Sequence, residues 1–430
     1  MILVIGGGPA GRMAALRLAR AGKKVTILEK RALGGQCVFD GCMLVCGLND
    51  VARAIENNEQ LKRLGVLTGE NPRPDYPKLL DTLESTQRLF SRILEKETLD
   101  AGVAIEYGVT VEVRNGKVFV DGTEREAEYV VIASGASPNI PKIPGITLEG
   151  VYYPRTLRTM RTLPKEMVII GGGISAAEFA YIYAAFGVHV HLIARSTLLK
   201  MLPEPFLSDA KHDLFKVDIR EHAEVNRIEG TTHVTGVVVN GELIPCDTIL
   251  VTAGMKPESP NVTGLAKRDD GAIIVNERME TSQKGIYACG DVIGEPYLTP
   301  VSRLQGFAAA DAILGHPRVV NLSQIPFCIV LGRDYACCLP NQKGNEVTYP
   351  NIAGPGTFWS AADRSMGHMM LSTGTDGRIL GFASSSTGAS IVATYLGYLV
   401  RKGVTIHEFS PLLEVHPLSD GLYSMIRFSE

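Results

Sequence analysis

Two stretches of this sequence repeat one design at a fixed distance, and this repeat restricts the fold more than any other feature. VIGGGPAGRMAALRLARAGKKVTILEK begins at Val4, and IIGGGISAAEFAYIYAAFGVHVHLIAR begins at Ile169. The offset is 165 residues throughout, so that Gly6 matches Gly171. Each copy has the pattern of a buried strand, a tight glycine turn, an amphipathic helix and a second strand. The repeat therefore predicts an α/β fold with two Rossmann-like dinucleotide-binding units.

The glycines of both copies suit the pyrophosphate of a dinucleotide. The three motif positions are Gly6, Gly8 and Gly11 in the first copy and Gly171, Gly173 and Ala176 in the second. The first position permits the turn, the second lets a phosphate approach the backbone, and the third lets the helix pack on the strand. Glycine-rich turns also occur in ordinary loops. Here each motif follows an apolar strand and opens a helix, which favours nucleotide binding.

The ends of the second strands distinguish the two nucleotides. The first copy ends in Glu29, whose carboxylate can accept hydrogen bonds from both hydroxyls of a ribose, as FAD or NAD requires. The second copy has Ala194 at the matching position, followed by Arg195 and, nearby, Lys200. These cations would attract a ribose 2′-phosphate, so that NADPH is favoured over NADH. The alternative is that both are solvated loop charges.

The composition excludes several classes of protein. A net charge of -3 gives no electrostatic basis for binding nucleic acid or a membrane surface. No apolar run reaches the roughly 18 to 20 residues of a membrane span, and the opening MILVIGGG has the pattern of a buried strand and not of an export signal. We therefore expect a cytoplasmic protein. Between the repeats, Leu83, Phe90 and Ile93 mark an amphipathic helix over residues 79–100.

Three of the eight cysteines lie close together in GGQCVFDGCMLVCGL, at residues 34–48. Residues five apart on a helix are separated by about 7.5 Å along its axis, beyond the roughly 4.4 to 6.8 Å preferred between Cα atoms in a disulfide. A bond between Cys37 and Cys42 therefore needs a distorted turn, which Gly41 would tolerate. A metal site built on Cys37, Cys42 and Cys46 lacks a fourth ligand at zinc-like spacing, so we predict no metal site. The other cysteines fit buried apolar positions, namely Cys246, Cys289, Cys328, Cys337 and Cys338.

The ordered motifs resemble those of the pyridine nucleotide-disulfide oxidoreductases, the family that includes glutathione reductase, dihydrolipoamide dehydrogenase and mercuric reductase. The resemblance rests on GGGPAG with Glu29, GGxCxxxxGC at residues 34–42, ASG at 133–135, GGGISAAE at 171–178, ACGD at 288–291 and a late His-Pro at 416–417. It implies a FAD-binding domain in residues 1–145 and 261–318, an inserted NAD(P)H-binding domain in residues 146–260, and a C-terminal α+β dimerisation domain in residues 319–430.

The resemblance also implies roles for individual residues. Cys37 matches the thiol that attacks a substrate disulfide, Cys42 the thiol beside the flavin, and His416 the base, which reaches the disulfide from the other subunit of a homodimer. Asp291 matches the acid that binds the flavin's ribityl chain, although it could instead cap a helix. The predicted cofactor-binding residues are completed by Lys30, Gly35, Ala133, Ser134, Gly135, Gly254 and Gly290.

Two departures from the family pattern concern the catalytic residues. The family has a lysine one turn after the second cysteine, paired with the glutamate matched by Glu178, whereas this sequence has Cys46 there. Cys46 is then a third participating thiol or a small apolar substitute. The late motif is HPLSD, which places Asp420 four residues after His416, where it would orient the imidazole or cap a helix.

The function predicted from the sequence is electron transfer from NADPH, through FAD and a Cys37–Cys42 disulfide, to a disulfide of a small molecule or small protein. One alternative keeps the flavin and changes the acceptor to a quinone, dioxygen or an electron carrier. Another is a flavin-binding redox sensor with little turnover. The loss of the lysine favours the first alternative.

Overall fold

The computed structural model describes residues 1–351, 358–362 and 366–416. The helices are α1 Pro9–Arg20, α2 Gly35–Phe39, α3 Cys42–Arg63, α4 Tyr76–Asp100, α5 Ile174–Ala185, α6 Phe206–Asp213, α7 Thr299–Ile313, α8 Ala389–Lys402 and α9 Ile406–Phe409. The first strands are β1 Ile2–Ile5, β2 Val25–Glu29, β3 Ala104–Tyr107, β4 Val111–Arg114, β5 Lys117–Val120, β6 Thr123–Arg125, β7 Tyr129–Ile132, β8 Ala136–Pro138 and β9 Val151–Tyr152.

The later strands are β10 Glu166–Ile170, β11 His189–Ile193, β12 Val217–Arg220, β13 Val225–Gly230, β14 Val234–Val239, β15 Glu242–Pro245, β16 Thr248–Val251, β17 Met255–Pro257, β18 Val262–Thr263 and β19 Ile286–Ala288. The C-terminal strands are β20 Phe327–Val330, β21 Asp334–Cys338, β22 Asn345–Pro350, β23 His368–Thr373 and β24 Ile379–Ser386. Short 3-10 helices occur at Leu157–Thr159, Gly290–Ile293 and Phe358–Ala361.

The first copy of the repeat forms part of a parallel sheet in the order β19-β7-β1-β2-β3. Its strands β1, β2 and β7 are buried on both faces, as in other parallel sheets covered on two sides. Helices α1 and α7 pack together against one face, where Val4 and Val131 meet Ala308. The other face packs on the strands β4, β5 and β18. The carboxyl ends of β1, β2 and β7 therefore meet at one edge, beside the start of α1.

The second copy forms another parallel sheet, in the order β12-β11-β10-β16-β9. Helix α5 covers one face, and the antiparallel strands β13, β14 and β15 cover the other. The prediction that this helix is amphipathic is wrong, because ten of its twelve residues are buried. The reason is that α5 lies between its own sheet, α3 and β20, so that no side faces solvent.

The C-terminal residues form an antiparallel sheet in the order β20-β21-β24-β23-β22, with α8 packed on it. Its core includes Phe382 and Leu396. Together with the two parallel sheets, this mixed unit confirms the predicted fold class. Within the described ranges, none of the helices combines the length and apolar character that a bilayer crossing requires.

The helix predicted over residues 79–100 is present as α4, but its buried face was predicted incorrectly. Leu83 is buried, whereas Phe90 and Ile93 are exposed. The buried face instead includes polar side chains with specific partners: Gln87 donates to the Phe39 carbonyl, and Ser91 to the Leu33 carbonyl. The polar contacts of α4 hold the cysteine-containing segment that precedes α3.

Candidate active site

The two nearest cysteines lie on different helices. Cys37 is within α2, and Cys42 is the first residue of α3. The chain leaves the helical conformation between them, where Gly41 has φ -130° and ψ -115°, so the predicted distorted turn is present. Asp40 anchors this turn, because its buried carboxylate accepts hydrogen bonds from Arg31 and Arg158.

The side chain of Thr299, the first residue of α7, joins the two thiols. Its Oγ1 donates to Cys37 Sγ over 3.4 Å, and its single proton can turn to Cys42 Sγ, 3.6 Å away, when Cys42 is the thiolate. The two sulfurs also hydrogen-bond each other. Because a helix N-terminus carries a partial positive charge, the start of α7 favours an anion at this position.

These contacts give the two thiols different pKa values. The hydrogen bond from Cys37 lowers the pKa of Cys42 to about 6, with further help from Thr299 and the positive charge of Arg303. The same hydrogen bond, together with burial, raises the pKa of Cys37 well above its usual value. In the reduced pair at neutral pH, Cys42 is therefore the thiolate and Cys37 keeps its proton.

Cys46 lies one turn after Cys42 on α3, and Glu178 of α5 faces the same region. Burial raises the pKa of Glu178 to about 8, although its carboxylate accepts a hydrogen bond of 3.1 Å from the Val330 amide. Among the described residues, no lysine or arginine forms an ion pair with this carboxylate. Loss of solvent raises the pKa of Cys46, and the nearby Cys42 adds to the shift.

The residues predicted for the first nucleotide meet around the start of α1. Gly6 has φ +100°, and a Cβ there would lie 2.4 Å from the Ala133 carbonyl oxygen. Gly11 lies against the Gly6 carbonyl in the same way, so the loop admits no side chain at either position. The Glu29 carboxylate accepts from the amides of Gly7 and Arg31. A carboxylate has about four acceptor positions, so two remain for the ribose of a nucleotide.

The remaining predicted residues of this site line the same edge. Gly8 caps α1 and its backbone lies against Gly35, while Lys30 is exposed after β2. Ala133, Ser134 and Gly135 follow β7, and the Ser134 hydroxyl donates to the Glu258 carbonyl. Gly254, with φ +90°, differs from these residues, because it follows β16 of the second parallel sheet.

Asp291 and Gly290 form the start of a 3-10 helix beside α1. Burial raises the pKa of Asp291, and its carboxylate accepts one hydrogen bond, of 3.0 Å, from Ser302. A Cβ on Gly290 would lie 2.7 Å from Ala10 Cβ. A desolvated carboxylate with spare acceptor positions suits a ligand that offers hydroxyl groups. The donors, acceptors and open backbone of this region fit FAD.

The second predicted nucleotide site lies at the carboxyl end of β10. A Cβ on Gly171 would lie 2.4 Å from Thr252 Oγ1, whereas Gly173 has open space around it at the cap of α5. Ala176 is buried under the loop. Arg195 and Lys200 are both exposed after β11. This arrangement of a free helix start and two exposed cations fits a pyridine nucleotide.

His416 is exposed after α9, at the end of the described residues. It is not among the groups that shift the pKa of Cys37 or Cys42. Asp420 lies outside the described residues. Of the other cysteines, Cys328 is partly exposed, and the rest are buried as predicted, namely Cys246, Cys289, Cys337 and Cys338.

Sequence reasoning missed Thr299, Arg303 and Asp40. The sequence carries one signal for the first two, since Thr299 precedes a proline at the start of a helix, which is a common helix-start pattern. Thr299 is 262 residues from Cys37 in sequence, and no local pattern shows that the two residues are in contact in the fold.

Comparisons with known proteins agree with this geometry. The sequence model described as pyridine nucleotide-disulphide oxidoreductase matches residues 1–306. An uncharacterized protein of Methanocaldococcus jannaschii is 29% identical over 99% of this chain and 97% of its own length. The dihydrolipoyl dehydrogenase of Bacillus subtilis is 26% identical over 96% of this chain and 93% of its own. The HOCl-induced flavoprotein disulfide reductase RclA from Escherichia coli shares the fold, with a TM-score of 0.88 and 22% identity over the full length of both chains.

Proposed function

Because this chain belongs to the pyridine nucleotide-disulphide oxidoreductase family, we propose that it is a FAD enzyme that reduces a disulfide or related sulfur substrate with electrons from NADPH. The observation that carries the proposal is the thiol pair itself. Cys37 and Cys42 share the Thr299 hydroxyl, and one of the two is held as a thiolate near neutral pH. A pair in which one thiol is ionised and the other protonated suits two successive exchange steps.

The cofactor would be held by the residues around α1 and α7. Gly6, Gly8 and the α1 amides would take its pyrophosphate, Glu29 its ribose and Asp291 its ribityl hydroxyls. When bound, flavin accepts a hydride from reduced nicotinamide and delivers two electrons to a disulfide. We assign residues 1–145 and 261–318 to the FAD domain, 146–260 to the NAD(P)H domain and 319–430 to an interface domain.

The order of steps in substrate reduction would follow from the pKa values of Cys37 and Cys42. Cys37 must first lose its proton, which requires a base, and the family resemblance assigns this role to His416. The Cys37 thiolate then attacks one sulfur of the substrate disulfide, the substrate S–S bond breaks, and the leaving thiolate takes the proton from His416. Next, the Cys42 thiolate attacks Cys37 Sγ, which forms the Cys37–Cys42 disulfide and releases the second half of the substrate as a thiolate that takes a proton from solvent. The substrate gains two electrons and the cysteine pair loses two.

The preference for NADPH rests on Arg195 and Lys200, since an acidic residue at this strand end would repel a 2′-phosphate. The proposed homodimer is supported by apolar side chains exposed on α8, where Ile391 is 78% and Tyr398 58% exposed. Such a face is costly to leave in water. We place the enzyme in the cytoplasm, where a reactive thiol pair would stay reducible.

A second candidate function, reduction of a quinone, dioxygen or an electron carrier, is favoured by one observation. Within the part of the chain that the structure describes, Glu178 forms no ion pair with the cation that the family resemblance leads one to expect beside the flavin, and burial raises its pKa. If this change favours direct release of electrons from the flavin, the thiols would not be needed for turnover.

One anaerobic titration distinguishes the two functions. The purified flavoprotein is titrated with NADPH and separately with NADH, and the absorbance is followed in the native protein, Cys37→Ser and Cys42→Ser. Uptake of four electrons per chain by the native protein supports the disulfide reductase. A thiolate-to-flavin charge-transfer band that disappears in Cys42→Ser supports it as well. Uptake of only two electrons by the native protein, with quinone reduction unchanged in both variants, would establish the second candidate instead.

A further inference from the structure

Three side chains capable of binding a metal meet at the edge of the second parallel sheet opposite its nucleotide loop. Glu166 is the first residue of β10, and His189 and His191 are alternate residues of β11. Glu166 lies opposite His189 in the register of these parallel strands. Because side chains alternate along a strand, all three project from the same face. This is the only such group of His, Cys, Asp and Glu among residues 1–351, 358–362 and 366–416.

The distances within this group are close to those of a metal site. Glu166 Oε2 lies 2.7 Å from His189 Nδ1 and 3.5 Å from His191 Nε2, and the three potential ligand atoms lie within 4.8 Å of one another. Ligands bonded to a tetrahedral cation at about 2.0 to 2.1 Å are roughly 3.3 Å apart. Small rotations of the half-exposed Glu166 and His189 side chains would therefore make room for the cation.

The two imidazole rings lie close enough to bind one cation. Their centroids are 4.6 Å apart. A bound metal takes neutral imidazoles as ligands.

A fourth side chain orients the least exposed ligand. Asp218 of β12 accepts a hydrogen bond of 2.8 Å from His191 Nδ1. The proton is thereby held on Nδ1, which leaves the Nε2 lone pair directed toward Glu166. A histidine whose second nitrogen donates to a carboxylate is the usual arrangement around protein-bound zinc. The neighbouring Arg220 forms ion pairs with Asp218 and, at 2.8 Å, with Glu242.

We propose that Glu166, His189 and His191 bind one Zn²⁺ ion, with water as the fourth ligand and Asp218 positioning His191. Two imidazole nitrogens and one carboxylate oxygen are a donor set typical of zinc. The site is separate from the predicted nucleotide loop, because it lies toward the amino ends of β10 and β11, whereas the loop of Gly171 follows the carboxyl end of β10. It joins the two ends of a strand-helix-strand unit, so its effect is to stabilise the second nucleotide-binding unit.

The test uses the full-length flavoprotein, freed of metal by a chelator and titrated with zinc chloride in a calorimeter. We expect one zinc ion per chain at this site, with X-ray absorption showing nitrogen and oxygen ligands at about 2.0 to 2.1 Å and not sulfur at about 2.3 Å. His191→Ala and Glu166→Gln should abolish this binding, and Asp218→Asn should weaken it about 10- to 100-fold. His316→Ala, which removes an exposed imidazole elsewhere, should leave it unchanged.

Two results would overturn the proposal. One is a sulfur-ligated zinc ion that binds equally well to the native protein and to His191→Ala, because that ion belongs to the cysteines of α2 and α3. The other is no saturable zinc binding to the native protein. Circular dichroism and flavin content check the folding of each variant. Should His191→Ala misfold, His189→Ala removes a more exposed ligand and tests the same site.

Discussion

Replacing Thr299 by valine tests how the active-site thiolate is stabilised. Valine keeps the shape of threonine and removes the hydroxyl that contacts both sulfurs. A hydrogen bond to a charged group contributes about 1.5 to 3 kcal/mol, and the 3.6 Å distance to Cys42 Sγ places this one at the lower end of that range. One pKa unit corresponds to about 1.4 kcal/mol. The pKa of Cys42, about 6 in the native protein, should therefore rise to about 7 in Thr299→Val.

The consequence is a measurable loss of thiolate. At pH 7 the ionised fraction of Cys42 should fall from about 90% to about 50%. The assay is the pH dependence of alkylation by iodoacetamide in the reduced protein, with fragment-ion mass spectrometry to locate the modification on Cys42. Thr299→Ser, which keeps the hydroxyl, is the matched control and should titrate like the native protein. If Thr299→Val and Thr299→Ser alkylate with the same midpoint, the hydroxyl does not stabilise the thiolate, and Cys37 and Arg303 are sufficient.

Four further substitutions test other parts of the structure. Gly306→Ala would place a Cβ 2.2 Å from the Ala10 carbonyl, so α1 and α7 must separate; we expect about 1 to 3 kcal/mol lower stability and less bound flavin by absorbance. Glu178 has a pKa raised to about 8, so the folded state holds its proton more tightly and stability should fall as pH rises from about 5 to 8. Glu178→Gln should remove this slope in denaturant titrations, and Cys46→Lys should ionise Glu178 at pH 7, as read from its infrared carboxyl band. Arg195→Ala should lower kcat/KM for NADPH about 10-fold, a loss of about 1.4 kcal/mol, and leave NADH unchanged.

The substitutions of Gly306, Glu178 and Arg195 each have a result that would contradict the reasoning. Full flavin content and unchanged thermal stability in Gly306→Ala would show that the two helices tolerate a methyl group. The same pH dependence of stability in Glu178→Gln would show that another group titrates there. An equal loss for NADPH and NADH in Arg195→Ala would mean that Arg195 does not recognise the 2′-phosphate.

The internal repeat predicted the two nucleotide units closely. Helices α1 and α5, at Pro9–Arg20 and Ile174–Ala185, keep the 165-residue offset read from the glycines. The two units agree because the turn and the helix start depend on local residues. Gly6 and Gly171 have positive φ, and each lies so close to a backbone carbonyl that no side chain fits. The hairpin of β4 and β5 depends on local residues in the same way, since Asn115 and Gly116 at its turn both have positive φ.

The parts that sequence reasoning missed depend on distant residues. Phe90 and Ile93 fit an amphipathic pattern, but they are not on the buried face of α4. That face carries Gln87 and Ser91, which donate hydrogen bonds to the segment before α3. The burial of α5 on all sides depends on α3 and β20, which local periodicity does not report. Thr299 reaches the thiols only because α7 packs against α1, an arrangement set by Ala308 and Gly306 in the core of the first sheet.

The substitution at Cys46 shows how sequence and structure complement each other. The sequence indicates only that a thiol stands where the family has a lysine. In the structure, the pKa values of Cys46 and Glu178 are both raised, so at neutral pH the thiol is uncharged and the carboxyl is largely protonated. A lysine–glutamate ion pair also has no net charge, but it places two separate charges in the protein. The neutral Cys46–Glu178 pair avoids the cost of burying those charges.

This difference gives the thiol pair a sensitivity to alkaline pH that an ion pair would not confer. Above a pH of about 8, Glu178 loses its proton and becomes a buried negative charge close to Cys42, and each of the two raises the energy of the other as an anion. The Cys42 thiolate keeps its charge in this range, because its pKa is about 6, so the new charge should change the wavelength of the charge-transfer band in the native protein and not its amount. In Glu178→Gln the wavelength should stay constant over the same range, because the glutamine side chain cannot ionise. A band that shifts equally in both proteins would assign the titration to a different group.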